Sequence, residues 1–223
     1  MAANIQQMLQ GMSAGATRPS EAILSSNGQL HGPDAQKLKY WASQNWMKPR
    51  EGLTDQLGAA LMSTLHSGPF DALQTYIDTR LAALGGDRPA LVQQLYQARW
   101  GSTRIPIYNV ILVFLNGNPK RKQEILNLTR YLAQDLKVPV DGTDVIGAPA
   151  LYWAISTKPF AEPEFAQILF DAGGSVNQKN RFGGTAASEI VQSIGPGKAV
   201  EMMRWYVQHG GDVHSKDNDG VRY

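Results

Sequence analysis

The sequence predicts an all-α fold: a stack of repeated helix–turn–helix units behind a helical N-terminal region and a poorly ordered tail. Three observations lead there. A polar turn closing on glycine recurs at Gly147, Gly183 and Gly220, so successive copies are 36 and 37 residues apart, a period typical of repeat architectures. Apolar residues elsewhere recur at three- and four-residue spacing, the period of a helix face, with no convincing alternating strand. Hydrophobic residues make up 43% and charged residues 18% of the 223, an ordinary globular balance.

Taken in order, residues 1–35 are rich in breakers (Gly11, Gly15, Pro19, Gly28, Gly32, Pro33), and the expectation is a poorly ordered tail with brief helical turns at Ile5–Leu9 and Ala22–Leu24. Pro33-Asp34 is a helix start signal, with Leu38, Trp41 and Trp46 giving apolar surface beyond it. Further helices are expected at Leu53–Leu65, Phe70–Leu84 (closed by Gly85-Gly86) and Pro89–Trp100. Residues 36–102 thus form a helical region, either one more diverged repeat or a cap, with the cap favoured.

Residues 103–223 carry the repeats. The turns Asp144-Val145-Ile146-Gly147, Asn180-Arg181-Phe182-Gly183 and Asp217-Asn218-Asp219-Gly220 align. Two follow a helix and a small-residue stop, Ala172-Gly173-Gly174 and His209-Gly210-Gly211. Glycine there accepts the left-handed conformation that ends a helix, and Asn180 and Asp217 suit turns because their side chains bond their own backbone. In each unit one helix pair would bury its apolar face on the next: Leu151, Ala154 and Ile155 facing Phe165, Ile168 and Leu169, then Ala187, Ile190 and Val191 facing Met202, Trp205 and Tyr206. An earlier unit pairs Pro106-Ile107-Tyr108 with Ala150-Leu151-Tyr152, a spacing of 44 (150 less 106), and its extra length is expected in the connector Asn116–Lys122.

These residues resemble the ankyrin repeat family. Its phrase, close to Asp-x-x-Gly-x-Thr-Pro-Leu-His-x-Ala, two helices and Gly-Ala-Asp-Val-Asn, is matched in register by Gly173-Gly174-Ser175-Val176-Asn177 leading to Gly183-Gly184-Thr185-Ala186, and by Gly210-Gly211-Asp212-Val213 leading to Gly220. The central phrase is eroded, surviving as Pro149-Ala150-Leu151-Tyr152 and Thr185-Ala186-Ala187-Ser188. The resemblance covers about 120 residues, with the last repeat incomplete.

That resemblance implies a scaffold that binds a protein partner through turn tips and the exposed face of each first helix. Carried over by position, the partner-binding residues are Val145, Ile146, Ser156 and Thr157; Lys179, Arg181, Phe182, Gln192 and Ser193; and Lys216, Asn218 and Asp219. Ile146 and Phe182 are apolar at neighbouring tips, and Arg181 beside an aromatic has the composition of an interface anchor. Phe182 either anchors a partner or packs locally on the next turn.

Other functions find little support. There is no cysteine, which excludes disulfides, thiolate metal sites and cysteine nucleophiles. No phosphate-loop phrase or paired-carboxylate motif is present, so no catalytic residues, cofactor or small-molecule substrate are expected. Net charge is +2, which calls for neither nucleic acid nor an anionic membrane. The longest apolar run, Val110–Leu115, is far short of a span of about 20 residues. A cytoplasmic location is expected, with Lys120-Arg121-Lys122 as a minimal nuclear-import cluster or a solvated connector. Two alternatives stand: a fragment of a larger ankyrin-containing protein, and a metal-binding or enzymatic protein using His209, Asp212, His214 and Asp217. No metal is expected on the first reading.

Overall fold

The structure, a computed structural model, describes residues 17–45, 53–66, 71–156, 161–191 and 196–221. Its described residues are all-α, with no strand; isolated bridges join Trp100 with Ile105 and Thr143 with Pro149.

The N-terminal segment holds α1 (Glu21–Ser25) and α2 (Gly32–Asn45). Ser20 caps α1 by accepting from Ile23 N–H, the usual use of serine before a first turn. Residues 17–35 therefore depart from the expected poorly ordered tail: Leu24 is buried and α2 already begins at Gly32. The turns expected at Ile5–Leu9, and Trp46, lie outside the described residues.

Three helices follow: α3 (Gln56–His66), α4 (Asp71–Ala83) and α5 (Arg88–Gln97). Asp55 starts α3, its carboxylate accepting from Gly58 N–H and from the Trp100 indole. Leu57, Leu61 and Leu65 line the buried face of α3, and Leu73 and Ile77 that of α4. Asp87 caps α5 through Ala90 N–H.

The stack proper has two layers. Its first helices are α6 (Ile107–Gly117), α8 (Ala150–Ile155) and α10 (Ala186–Val191). Its second helices are α7 (Lys122–Arg130), α9 (Pro163–Asp171) and α11 (Pro196–Gln208). Each second helix packs on its own first helix, α3 packs on α6, and α6, α8 and α10 lie side by side. Phe165, Ile168 and Leu169 of α9 meet the buried Leu151, Ala154 and Ile155 of α8 in one continuous core, which runs from Leu53 to Tyr206. Val191, expected to face the core, is 53% exposed.

The first unit differs from the expected register. Pro106 and Pro149 both stand before their helices at the same backbone angles, φ −76°, ψ 170° and φ −78°, ψ 170°. They are thus equivalent, and the spacing is 43 (149 less 106), not 44. Asn109, not Tyr108, then matches Tyr152. The extra length also sits elsewhere than the Asn116–Lys122 connector. Lys122 to Asp144 spans 22 positions against 17 from Pro163 to Asn180, and a π-helical segment, Tyr131–Asp135, prolongs α7. Five residues wound as π-helix lengthen a helix without a new loop.

Candidate functional site

Four turns project from the same edge of the stack and share one backbone pattern. Gly147 N–H donates to Asp144 O, Gly183 N–H to Asn180 O, Gly220 N–H to Asp217 O and Arg104 N–H to Gly101 O. In the last three turns a side chain completes the loop. Asp144 Oδ1 accepts from Ile146 and Ala148 N–H, Asn180 Oδ1 from Phe182 and Gly184 N–H, and Asp217 Oδ1 from Asp219 and Val221 N–H. Short acceptors at this position are what make Asn and Asp turn residues. Gly101 has no side chain to do this.

The turns are joined into a ladder. Val145 N–H donates to Thr103 O at 2.9 Å, Arg181 N–H to Ile146 O at 2.8 Å and Asn218 N–H to Phe182 O at 3.0 Å. Further bonds tie turn to helix. Asn180 Nδ2 donates to the Tyr152 hydroxyl, which reaches Glu189, and Trp153 Nε1 donates to Asp144 Oδ2. Burial pushes the Asp144 carboxyl up to about 6, against the N–H donors that favour its charged form.

The tips are not bare. The extended stretch between α1 and α2 lies across them. Leu30 N–H donates to Arg181 O, and Asn218 Nδ2 donates to Leu30 O. The Arg181 guanidinium donates from Nε to Gly28 O at 3.0 Å, from Nη1 to Val145 O at 3.0 Å and from Nη2 to Ser26 Oγ at 2.7 Å. All three acceptors are uncharged, and burial lowers the Arg181 pKa. Arg104, at the first turn, pairs with Glu21 and Ser25 of α1. Below these bonds Leu24, Leu38, Trp41, Ala42 and Val145 form a second core, flanked by Ile146 and Phe182.

This arrangement relocates most of the residues expected to meet a partner. Val145 is 4%, Arg181 5% and Ser156 0% exposed. The first two are covered by the N-terminal segment, and Ser156 is buried where it ends α8. Those three do not face solvent as the sequence reading supposed. Ile146, Phe182 and Asn218 are half-buried. Lys179, Lys216 and Asp219 remain exposed, with Lys179 Nζ donating to Lys216 O. Thr157, Gln192 and Ser193 lie outside the described residues. The sequence reading missed Ser26, Gly28 and Leu30, whose part in the surface is played largely by main-chain atoms.

The described residues form a concavity beside the tips and a groove on the last helix pair. One, of about 390 Å³, is polar and lies between α1 and the second turn, with Arg99, Arg104, Asp141 and Asp144 on its walls. The other, of about 470 Å³, is an apolar groove at the far end, formed by Ile190, Val191, Val200, Met203 and Val207. Among the described residues no cluster of three or more His, Asp or Glu could hold a metal ion. His209 is committed otherwise: it stacks on Trp205 at 3.9 Å, and its ring nitrogens face Trp205 O and Gln167 Oε1. No helix among the described residues is long and apolar enough to cross a membrane.

Searches with this chain against protein-family models and against curated proteins give no match.

Proposed function

We propose that this chain is a non-catalytic protein-interaction module built on an ankyrin-type stack, with the turn tips as its recognition edge. One observation carries the reading: the tips hold a peptide-like stretch, Ser26–Leu30, through its main chain, with Arg181 Nε donating to Gly28 O, Asn218 Nδ2 donating to Leu30 O, and Leu30 N–H donating to Arg181 O. A surface that grips an extended backbone in this way has the chemistry for peptide recognition, where main-chain bonds supply affinity and flanking pockets supply selectivity. The 36- and 37-residue spacing of matching turns and their ladder support the ankyrin assignment. Fold analogy alone would not supply the function.

The test uses the tip residues left exposed. Affinity capture from the source organism is compared for the native chain and for a chain carrying Lys179→Glu and Asp219→Lys. The expected result is a protein enriched by the native chain and lost from the variant, with the melting temperature unchanged within about 2 °C, as surface changes usually leave it. An unchanged set of captured proteins would remove the tips from the binding edge.

A further inference from the structure

We propose that residues 17–45 are an intramolecular ligand of the turn tips, and that the protein partner of this edge presents a segment of the same kind. That segment is a short amphipathic helix, an extended stretch read through its main chain, and a second amphipathic helix with an aromatic anchor. The inference rests on the interaction-module reading above and names the chemistry of its partner.

The geometry separates this segment from the body it covers. Its apolar residues, Leu24, Leu38, Trp41 and Ala42, belong to a second core apart from the main one, to which, among the described residues, the stack adds one buried apolar side chain, Val145. Among the described residues, Ile146 alone packs against both. Undocking residues 17–45 therefore opens the small core and leaves the large one closed, the behaviour of a satellite cluster and a low-stability unit.

The contacts are also of the kind a ligand makes. Across the extended stretch, Leu30 gives a donor and an acceptor and Gly28 an acceptor, all from main chain; Ser26 adds one hydroxyl. Main-chain recognition tolerates substitution, so other sequences of this pattern fit the same seat. Arg181 sets the geometry. Its fork reaches Gly28 and Ser26 on one side and Val145 on the other, which an ammonium on a flexible stem does not reproduce. A partner competes against a ligand held at high effective concentration, so loosening that ligand strengthens the partner's binding.

The test is a fluorescence-anisotropy titration of a labelled synthetic peptide spanning residues 17–45 against the full chain. The native chain, whose seat is filled, is expected to bind weakly. The full chain carrying Leu38→Asp is expected to bind at least about tenfold more tightly, a difference of about 1.4 kcal/mol. Adding Arg181→Ala to that chain should abolish the gain. A folded Leu38→Asp chain with no gain would overturn the proposal. Amide hydrogen exchange on the unaltered chain covers the case in which the variant does not fold. Residues 21–45 should exchange at least about tenfold faster than 107–130, and equal protection would overturn the proposal. If the peptide result is negative while the tip variant above still loses its captured protein, the interaction-module reading stands and only the ligand assignment fails.

Discussion

The turn at Asn180 and the turn at Asp217 are made by the same four backbone positions, and they differ in what stands beside them. Gly183 has φ +79° and Gly220 φ +80°, so both pay for any side chain with left-handed strain. A Cβ on Gly183 would also lie 2.5 Å from the Asn218 backbone nitrogen, whereas nothing among the described residues lies within 4 Å of one on Gly220. Gly147 is intermediate, meeting Arg181 N at 3.1 Å. One glycine position thus does two jobs, closing its own turn and letting the next turn approach, and only the second depends on a neighbour.

The largest effect follows from that difference. Gly183→Ala is expected to cost about 3 kcal/mol or more, lowering the melting temperature by about 6–12 °C, because the ladder must open to admit the methyl. Gly220→Ala is expected to cost about 1 kcal/mol, or about 2–4 °C, from backbone strain alone. Thermal melts of the two variants check the order. Equal losses would mean that the ladder between these turns carries no weight.

The turns at Asp144 and Asn180 make a second comparison, between a carboxylate and an amide in the same loop. The folded chain holds the Asp144 proton up to about pH 6, while the unfolded chain releases it near the ordinary value of 3.8. Between those values the folded state binds more protons, so this group's contribution to stability falls as pH rises. Above about pH 6 the full burial penalty is present. Asp144→Asn removes the titration and, at any pH, faces the Trp153 N–H with an amide that suits it less well. Relative to the native chain, the variant should therefore gain melting temperature from pH 4 to pH 7, by on the order of 5 °C. A pH-independent difference would contradict the assignment.

The smallest effects separate the first unit from its successors. Where Gly173 and Gly210 end later helices, Lys137 takes the left-handed conformation at φ 63°. Lys137→Gly should stabilise by about 1 kcal/mol, read as a rise of about 2–4 °C. Asn109 fills the position of Tyr152, yet its amide is buried with no partner among the described residues. Asn109→Leu, branched at the same Cγ and free of polar atoms, should raise stability by up to about 1 kcal/mol. A drop in either melt would show that these residues hold the unit together.

The same contrasts explain what was legible from sequence. Turns marked by Asn180-Arg181-Phe182-Gly183 and Asp217-Asn218-Asp219-Gly220 announce themselves, since glycine and a short acceptor are needed at fixed places. The turn at Gly101-Ser102-Thr103-Arg104 makes the same backbone bond with neither signal, and the first unit was read one residue out of register. Burial of Val145 and Arg181 was illegible for another reason. Their cover comes from more than 100 residues away: Leu24, Leu38 and Trp41 side chains over Val145, and at Arg181 the main-chain atoms of Gly28 and Leu30, which leave no sequence pattern. The glycines and prolines that suggested a loose tail instead shape a stretch lying across the tips.

Nuclear Overhauser measurements between the Val145 methyls and the side chains of Leu24, Leu38 and Trp41 test the central claim most directly. The account expects cross-peaks between Val145 and at least one of those residues in the native chain, together with helical shifts over Gly32–Asn45. Random-coil shifts from residue 17 to 45, with no cross-peak to Val145, would contradict it.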